Sequence, residues 1–521
     1  MAEQDRTVER EQSHDLERVA DEKLDAGLGP GGLRTVELGL PASAVVSSVS
    51  PEEEARILRK IDWRLVPLLS FLYLVAYVDR SNIGNAKIAG MATDLKLKGL
   101  MYNTALTVFF VPYGLFEVPS NIVLKLMRPS VWISILLFSW GLVMTLMGIV
   151  KTYEGLVAAR FFLGVAEAGF FPASTFLLTI WYKRYEVQRR MAFFYAAASL
   201  AGAFSGLLAY AIEHMAGIAG LNGWNWIFIL EGIVPVLMSL VIWKILPDSP
   251  ETAGFLKIHE KEFVINRIAL ETGSGHGRVT NIDRIQMKHI TAAFKDWRIW
   301  CAVICFWACT ISTYGFTATV PTIVEQLGYK SALAQLMTVP IYVVAMIFVL
   351  GFAWASDYYQ QRTPFIIGGF LIGIVGLIAE IAIPHPRMTG VSYLFLFFIA
   401  AGLYSPFIIL VAMIGNNLAP SSKRAVGMAI MISVGNFGGI AGSNIFLARQ
   451  APRYPAGYGT CLGILVAAVI AALVLRFAYA RENKRRDEFM AGKTDEEVRA
   501  LYTDQELLDL GDLSPFFRYT L

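Results

Sequence analysis

GLVAARFFLGVAEAGFFPASTFLLTIW, Gly155 to Trp181, is an apolar run interrupted by two opposite charges, Arg160 and Glu167. It is long enough to cross a bilayer as a helix, for which about 20 residues suffice. A charge near the middle of such a helix costs roughly 2.5–3.5 kcal/mol on insertion scales. Packing alone gives no reason to bear that cost. Seven positions at about 100° each make nearly two turns, so both side chains share one face, about 10 Å apart along the axis. That face is expected to line a polar cavity in which Arg160 meets an anion and Glu167 handles a proton. The competing account has each charge neutralised by a partner on a neighbouring helix, which still places the face inside a bundle.

The composition agrees with a membrane chain. Of 521 residues, 55% are hydrophobic and 17% charged, against about 25% charged in soluble proteins; the mean hydropathy is +0.51. The net charge of +3 suggests no nucleic-acid partner. Cys301, Cys305 and Cys309 recur at i, i+4, i+8 on one apolar helix with no His or acid at ligand spacing, so they read as small helix residues and no metal site is expected. No His/Asp or Cys/His constellation lies in or beside the apolar segments, and an enzyme is rejected.

Twelve hydrophobic segments follow one another, at about 65–86, 103–125, 131–150, 155–181, 190–213, 225–246, 299–320, 334–356, 364–384, 391–412, 425–447 and 460–480. They predict an all-α membrane protein of twelve transmembrane helices in two six-helix pseudo-repeat halves. Residues 1–62 form a polar tail, mostly disordered; 63–246 the first half; 247–297 a central loop; 298–481 the second half; 482–521 a second tail. Ser50-Pro51 followed by Glu52, Glu53 and Glu54 is a helix start running into the first span. Asn121 with Asp357, and Gly202 with Gly438, recur at one spacing, as a parallel repeat would require. GSGHG at Gly273 to Gly277 reads as a loop rather than a phosphate cradle, and Gly202-x-x-x-Gly206 as a close helix contact.

Basic residues set the expected orientation. Arg56, Arg59, Lys60 and Arg64 precede the first span, and Lys183, Arg184, Arg189 and Arg190 fall between the fourth and fifth. The central loop, Arg362, Lys423 with Arg424, and Arg481 to Arg486 continue the series, while alternate loops are poorer. Both termini and the central loop are therefore expected in the cytoplasm.

Further intramembrane polar residues are candidates for the site. Asp79 and Arg80 close the first span, and Arg80 with Arg160 is placed to flank one anion from two helices; the alternative is that Asp79 forms a local or remote ion pair. Glu231 in the sixth span either tunes the proton site or anchors Trp224 and Trp226. Glu117, between Pro112 and Pro119, reads more readily as structural. The second half offers neutral ligands, Tyr314, Thr317, Tyr404 and Asn436, and an aromatic ring opposite two arginines suits a flat carboxylate. Asp357 with Arg362 is placed as a gating ion pair.

YVDRSNIGNAKIAGMATDLKL (Tyr77 to Leu97), EVPSNIVLK (Glu117 to Lys125), RFFLGVAEAGFFP (Arg160 to Pro172), WNWIFILEG (Trp224 to Gly232) and FRYTL (Phe517 to Leu521) resemble the major facilitator superfamily, in particular the anion:cation symporter family and its fungal allantoate-permease-like branch. The resemblance implies proton symport of small organic anions such as nicotinate, pantothenate or allantoate. In related vesicular glutamate and sialin-like carriers a first-span Arg, a fourth-span Arg and a Glu two turns on are functional; the matching positions are Arg80, Arg160 and Glu167. The chain departs from the superfamily pattern at Asn121, where an Asp is usual, which leaves Asp357 as the better gating acid.

Together these readings predict a multi-pass plasma-membrane carrier, monomeric, importing a small organic anion with a proton by alternating access. Its substrate ligands are Arg80, Arg160, Tyr314 and Asn436, its proton-coupling acids Glu167, Asp79 and Glu231, and its gate Asp357 with Arg362. No cofactor is expected beyond the proton gradient. The rivals are an exporter of an acidic metabolite and a nutrient-sensing receptor on a carrier scaffold.

Overall fold

Ser50 starts the first helix as its sequence context requires. Its hydroxyl accepts the Glu53 amide at 3.2 Å, Pro51 takes the first turn, and the three glutamates sit at the positive end of the dipole. The helix then runs without interruption from Pro51 to Ala86 (α1). The computed structural model describes residues 49–272, 287–329, 331–384, 388–494, 497–498, 501–503, 506–507 and 510–521. The tail over 1–48 and the GSGHG segment lie outside them. All regular structure among the described residues is helical.

The remaining helices of eight residues or more are α2 (Met101–Leu126), α3 (Pro129–Met147), α4 (Tyr153–Glu167), α5 (Phe170–Trp181), α6 (Arg184–Glu213), α7 (Gly223–Ile245), α8 (Ile258–Thr272), α9 (Met287–Lys295), α10 (Trp297–Gln326), α11 (Ser331–Tyr358), α12 (Thr363–Ala382), α13 (Thr389–Asn417), α14 (Ser421–Asn436), α15 (Gly438–Ile445) and α16 (Pro455–Met490). Eleven helical stretches among the described residues are long and apolar enough to cross a bilayer; α2, with 26 residues, takes the remaining place among twelve. Two spans differ from their sequence reading by being broken. The fourth divides at Ala168–Gly169, where Pro172 has no N–H to offer the Ala168 carbonyl. The eleventh divides at Phe437, within its glycine-rich run. The central loop carries α8 and α9, and α16 continues ten residues past the expected end of its span at 480.

Helices α1 to α7 pack among themselves, α3 on α7, α1 on α6 and α2 on α4; α10 to α16 form a second group through α12 on α13, α11 on α13 and α10 on α16. The two groups meet where α6 packs on α11, α2 on α15 and α1 on α10. Glycine permits the first of these. A Cβ on Gly206 would lie 2.5 Å from the Gln335 carbonyl oxygen, and one on Gly202 would lie 2.6 Å from the Tyr342 ring.

One end of the bundle, the terminal side, gathers the start of α1, the central loop and the chain's C-terminal residues. Arg267 of α8 ties Glu54 of α1, at 2.8 Å, to Glu186 of α6, and Lys60 meets Glu260 at 2.8 Å. Under the second group, Asp512 accepts both carboxylate bonds of Lys423 at 2.9 Å, and Thr520 and Asn417 exchange two bonds. Burial pushes the Asp512 carboxyl above its usual range, with Lys423 opposing.

Candidate functional site

The face predicted from Arg160 and Glu167 turns inward, and both residues are buried, at 3% and 2% exposure. Glu167 is the last residue of α4, so the helix break directly after it holds the carboxylate at the bundle centre. Arg80 arrives from α1. Its Nε donates to Glu167 Oε1 at 2.5 Å and its Nη1 donates to the Tyr314 hydroxyl of α10 at 3.0 Å. One guanidinium thus joins the first helix group to the second.

Two chambers meet at this junction. One lies toward the terminal side and is lined by Arg80, Glu167, Tyr314 and Asn436 among aromatic residues that include Tyr73, Tyr195 and Phe407. The other lies toward the opposite side and is lined by Arg80, Arg160, Phe109, Tyr314, Thr317 and Tyr404. Arg80 and Tyr314 line both, so their hydrogen bond stands as a partition. Toward the terminal side, Tyr195 of α6 stacks on Phe407 of α13, with centroids 4.3 Å apart and planes 14° apart. On the opposite side the groups are joined by Asn103 donating to the Ser443 carbonyl at 2.5 Å and Tyr102 donating to that of Ala318 at 3.4 Å.

The electrostatics are lopsided. Arg80 and Arg160 flank the Phe109 ring, with guanidinium carbons 5.6 and 5.0 Å from its centroid. Arg80 is matched by Glu167. Arg160 has no carboxylate in contact among the described residues; its Nε reaches the Ala105 carbonyl at 3.4 Å, and its buried Nη1 has no hydrogen-bond partner. Two guanidiniums against one carboxylate leave the wall with a formal surplus of one positive charge, in surroundings where charges interact strongly.

The expected acids do not converge on one place. Asp79 follows α1 round to the side away from Arg80, accepts the Trp140 Nε1 hydrogen at 3.0 Å and borders neither chamber. Glu231 lies behind the wall with it, 5% exposed, and neither carboxylate oxygen has a hydrogen-bond partner among the described residues. Asn436 does line a chamber, and its Nδ2 donates to Glu117 Oε2 at 3.3 Å. Arg362 and Asp357 pair at 2.5 Å at the terminal side, entirely within the second group. Sequence reasoning missed the aromatic residues of α2: Phe109 and Tyr113, one turn apart, both pack against Arg80, Tyr113 at 4.7 Å. Their i, i+4 spacing beside Pro112 was the available signal.

A twelve-span helical bundle with a charged chamber between two halves is the architecture of a membrane transporter. The sequence profile of the Major Facilitator Superfamily matches residues 69–443, and the chain belongs to that family. Among its relatives, the MFS-type transporter cnsO of Penicillium expansum is 37% identical, covering 89% of this chain and 90% of its own. The high-affinity nicotinic acid transporter of Saccharomyces cerevisiae is 31% identical, covering 91% of this chain and 86% of its own. The proton:xylose symporter XylE shares the fold, with a TM-score of 0.57 over 84% of this chain and 98% of that one at 17% identity. A bacterial homologue of the lysosomal transporter Spinster gives 0.57 over 79% and 96% at 16% identity.

Proposed function

We propose that the protein imports a small monocarboxylate together with a proton, by rocking its two halves about the central chamber. The observation that carries this reading is the unmatched guanidinium of Arg160 beside the paired Arg80 and Glu167. A substrate carboxylate takes the free Nη1 of Arg160, while its apolar body lies among the rings of the chamber. A proton reaching Glu167 Oε1 releases the Arg80 Nε for a second bond to the same carboxylate.

Charge accounts for the coupling. With Glu167 ionised, the empty site carries one net positive charge. With both proton and monoanion bound it carries one again. The half-loaded forms carry two and none. A bundle that reorients only at one value moves proton and anion together. The likeness to a nicotinic acid transporter supports an aromatic monocarboxylate, and the basic residues gathered on the terminal side support a cytoplasmic location for both termini in the plasma membrane. A single chain encloses both chambers, so a monomer suffices.

The test is uptake of labelled nicotinate and other small carboxylates in a transport-null yeast strain at two external pH values. Faster accumulation at acid pH is expected. Glu167→Gln keeps an acceptor for Arg80 but cannot titrate, so it should exchange substrate without accumulating it. Uphill accumulation by that variant removes Glu167 from the coupling step.

A further inference from the structure

Glu117 is a buried carboxylate that the scheme above leaves unused. It lies on α2 in the segment EVPSN, 4% exposed, and no cation pairs with it among the described residues. Its hydrogen-bond donor is neutral and comes from α14 in the other half: Asn436 Nδ2 at 3.3 Å. The charged group that acts on it from another helix is Arg80, already engaged by Glu167 and Tyr314. On its own helix, Tyr113 lies one turn away.

The position is as telling as the chemistry. A row of contacts joins α2 to the eleventh span. It begins on the opposite side with Asn103 and the Ser443 carbonyl, continues with Thr107 and Asn444 at 2.8 Å and with Gly114 against the Phe437 ring, and reaches Glu117 and Asn436. Of the hydrogen bonds in this row, that of Glu117 is nearest the terminal side, and it alone contains an acid. An amide donor softens a buried carboxylate's charge without cancelling it, so ionisation is costly while the halves stay joined. Once they part at this level, water reaches the carboxyl and the cost falls. Proton occupancy and contact between the halves are then linked, each favouring the other.

We infer that Glu117 is a second proton-carrying residue of the transport cycle, holding α2 against α14 when protonated and letting them separate when ionised. This deepens the symport reading and rests on it, but its test needs no substrate. The full-length protein, with Cys301 replaced by Ser, carries spin labels in lipid nanodiscs at the exposed positions Leu126 and Ala425, one on each half at the terminal side. Lowering the pH from about 8 to about 5 should shift the label distances toward the joined arrangement. The shift should persist in Glu167→Gln and in Glu117→Asp and vanish in Glu117→Gln. Gln keeps the acceptor for Asn436, so a merely structural hydrogen bond would leave the shift intact. A shift of wild-type size in Glu117→Gln overturns the inference, as does its absence from the wild type. Should Glu117→Gln fail to fold, Asn436→Asp sets a second carboxyl against the first, and the midpoint should rise by about one pH unit or more; an unmoved midpoint overturns it equally. A failed uptake assay alongside an intact Glu117-dependent shift would instead indict the symport reading.

Discussion

Replacing Arg160 by Met removes the guanidinium and keeps most of the side-chain volume. In the protein that guanidinium makes one long bond, Nε to the Ala105 carbonyl at 3.4 Å, and lies 5.0 Å from the Phe109 centroid with Nη1 unpartnered among the described residues. The cation–π contact contributes about 0.5–2 kcal/mol, and against it stands the desolvation cost of a cation with no counter-charge, which Met does not carry. Melting should therefore stay level or rise. Substrate binding should not. A hydrogen bond to a charged group is worth about 1.5–3 kcal/mol, and each 1.4 kcal/mol is a factor of about ten, so the affinity for a monocarboxylate should fall about 10- to 150-fold. Arg80→Met is the contrast: it strands Glu167 as a buried charge, with a loss of about 2–5 kcal/mol that should appear as destabilisation. Thermal melting of purified variants and concentration-dependent uptake of labelled nicotinate separate the two cases. An Arg160→Met protein with unchanged KM and wild-type abundance would remove Arg160 from the anion site.

Three further outcomes follow from the packing and the ion pairs. Gly206→Ala places a methyl group 2.5 Å from the Gln335 oxygen; overpacking of about 1–3 kcal/mol should lower the melting temperature and slow uptake, whereas Ala at the open position Gly368 should do neither. Asp512→Ala deprives Lys423 of one carboxylate but leaves it Asp296 at 2.8 Å, so residues 511–521 should exchange amide hydrogens faster while the spans keep their protection. At Glu260 partial burial pushes the carboxyl up, but Lys60 and the Lys257 amide outweigh it and hold it below the usual range. That depressed value means its contribution to fastening α8 is complete at neutral pH and is lost as pH falls through the folded value; hydrogen exchange in α8 should therefore rise only below about pH 4, and an α8 that loosens already between neutral pH and 5 would show that other groups hold it.

Much of the fold was legible because lipid imposes a simple rule. A segment crossing the bilayer must satisfy its own backbone and show an apolar exterior, so twelve runs of suitable length announce twelve helices. The helix start at Ser50 and the close packing at Gly202 and Gly206 were equally readable from local sequence. The breaks after Glu167 and at Phe437 were harder, because the surrounding residues stay apolar through them. Only Pro172 and the glycine run gave a hint.

The sequence by itself determined that Arg160 and Glu167 share a face and that this face looks inward, since helical periodicity and the cost of charge in lipid permit little else. It did not determine who meets whom. Arg80 and Asp79 are neighbours in the chain, yet one enters the chamber and the other turns to Trp140, because consecutive helical residues point about 100° apart and the rotation of α1 is set by its packing against α6 and α10. The hydrogen bond from Arg80 to Tyr314 and that from Asn436 to Glu117 each join residues more than two hundred positions apart. Only the docking of the two halves brings them within reach.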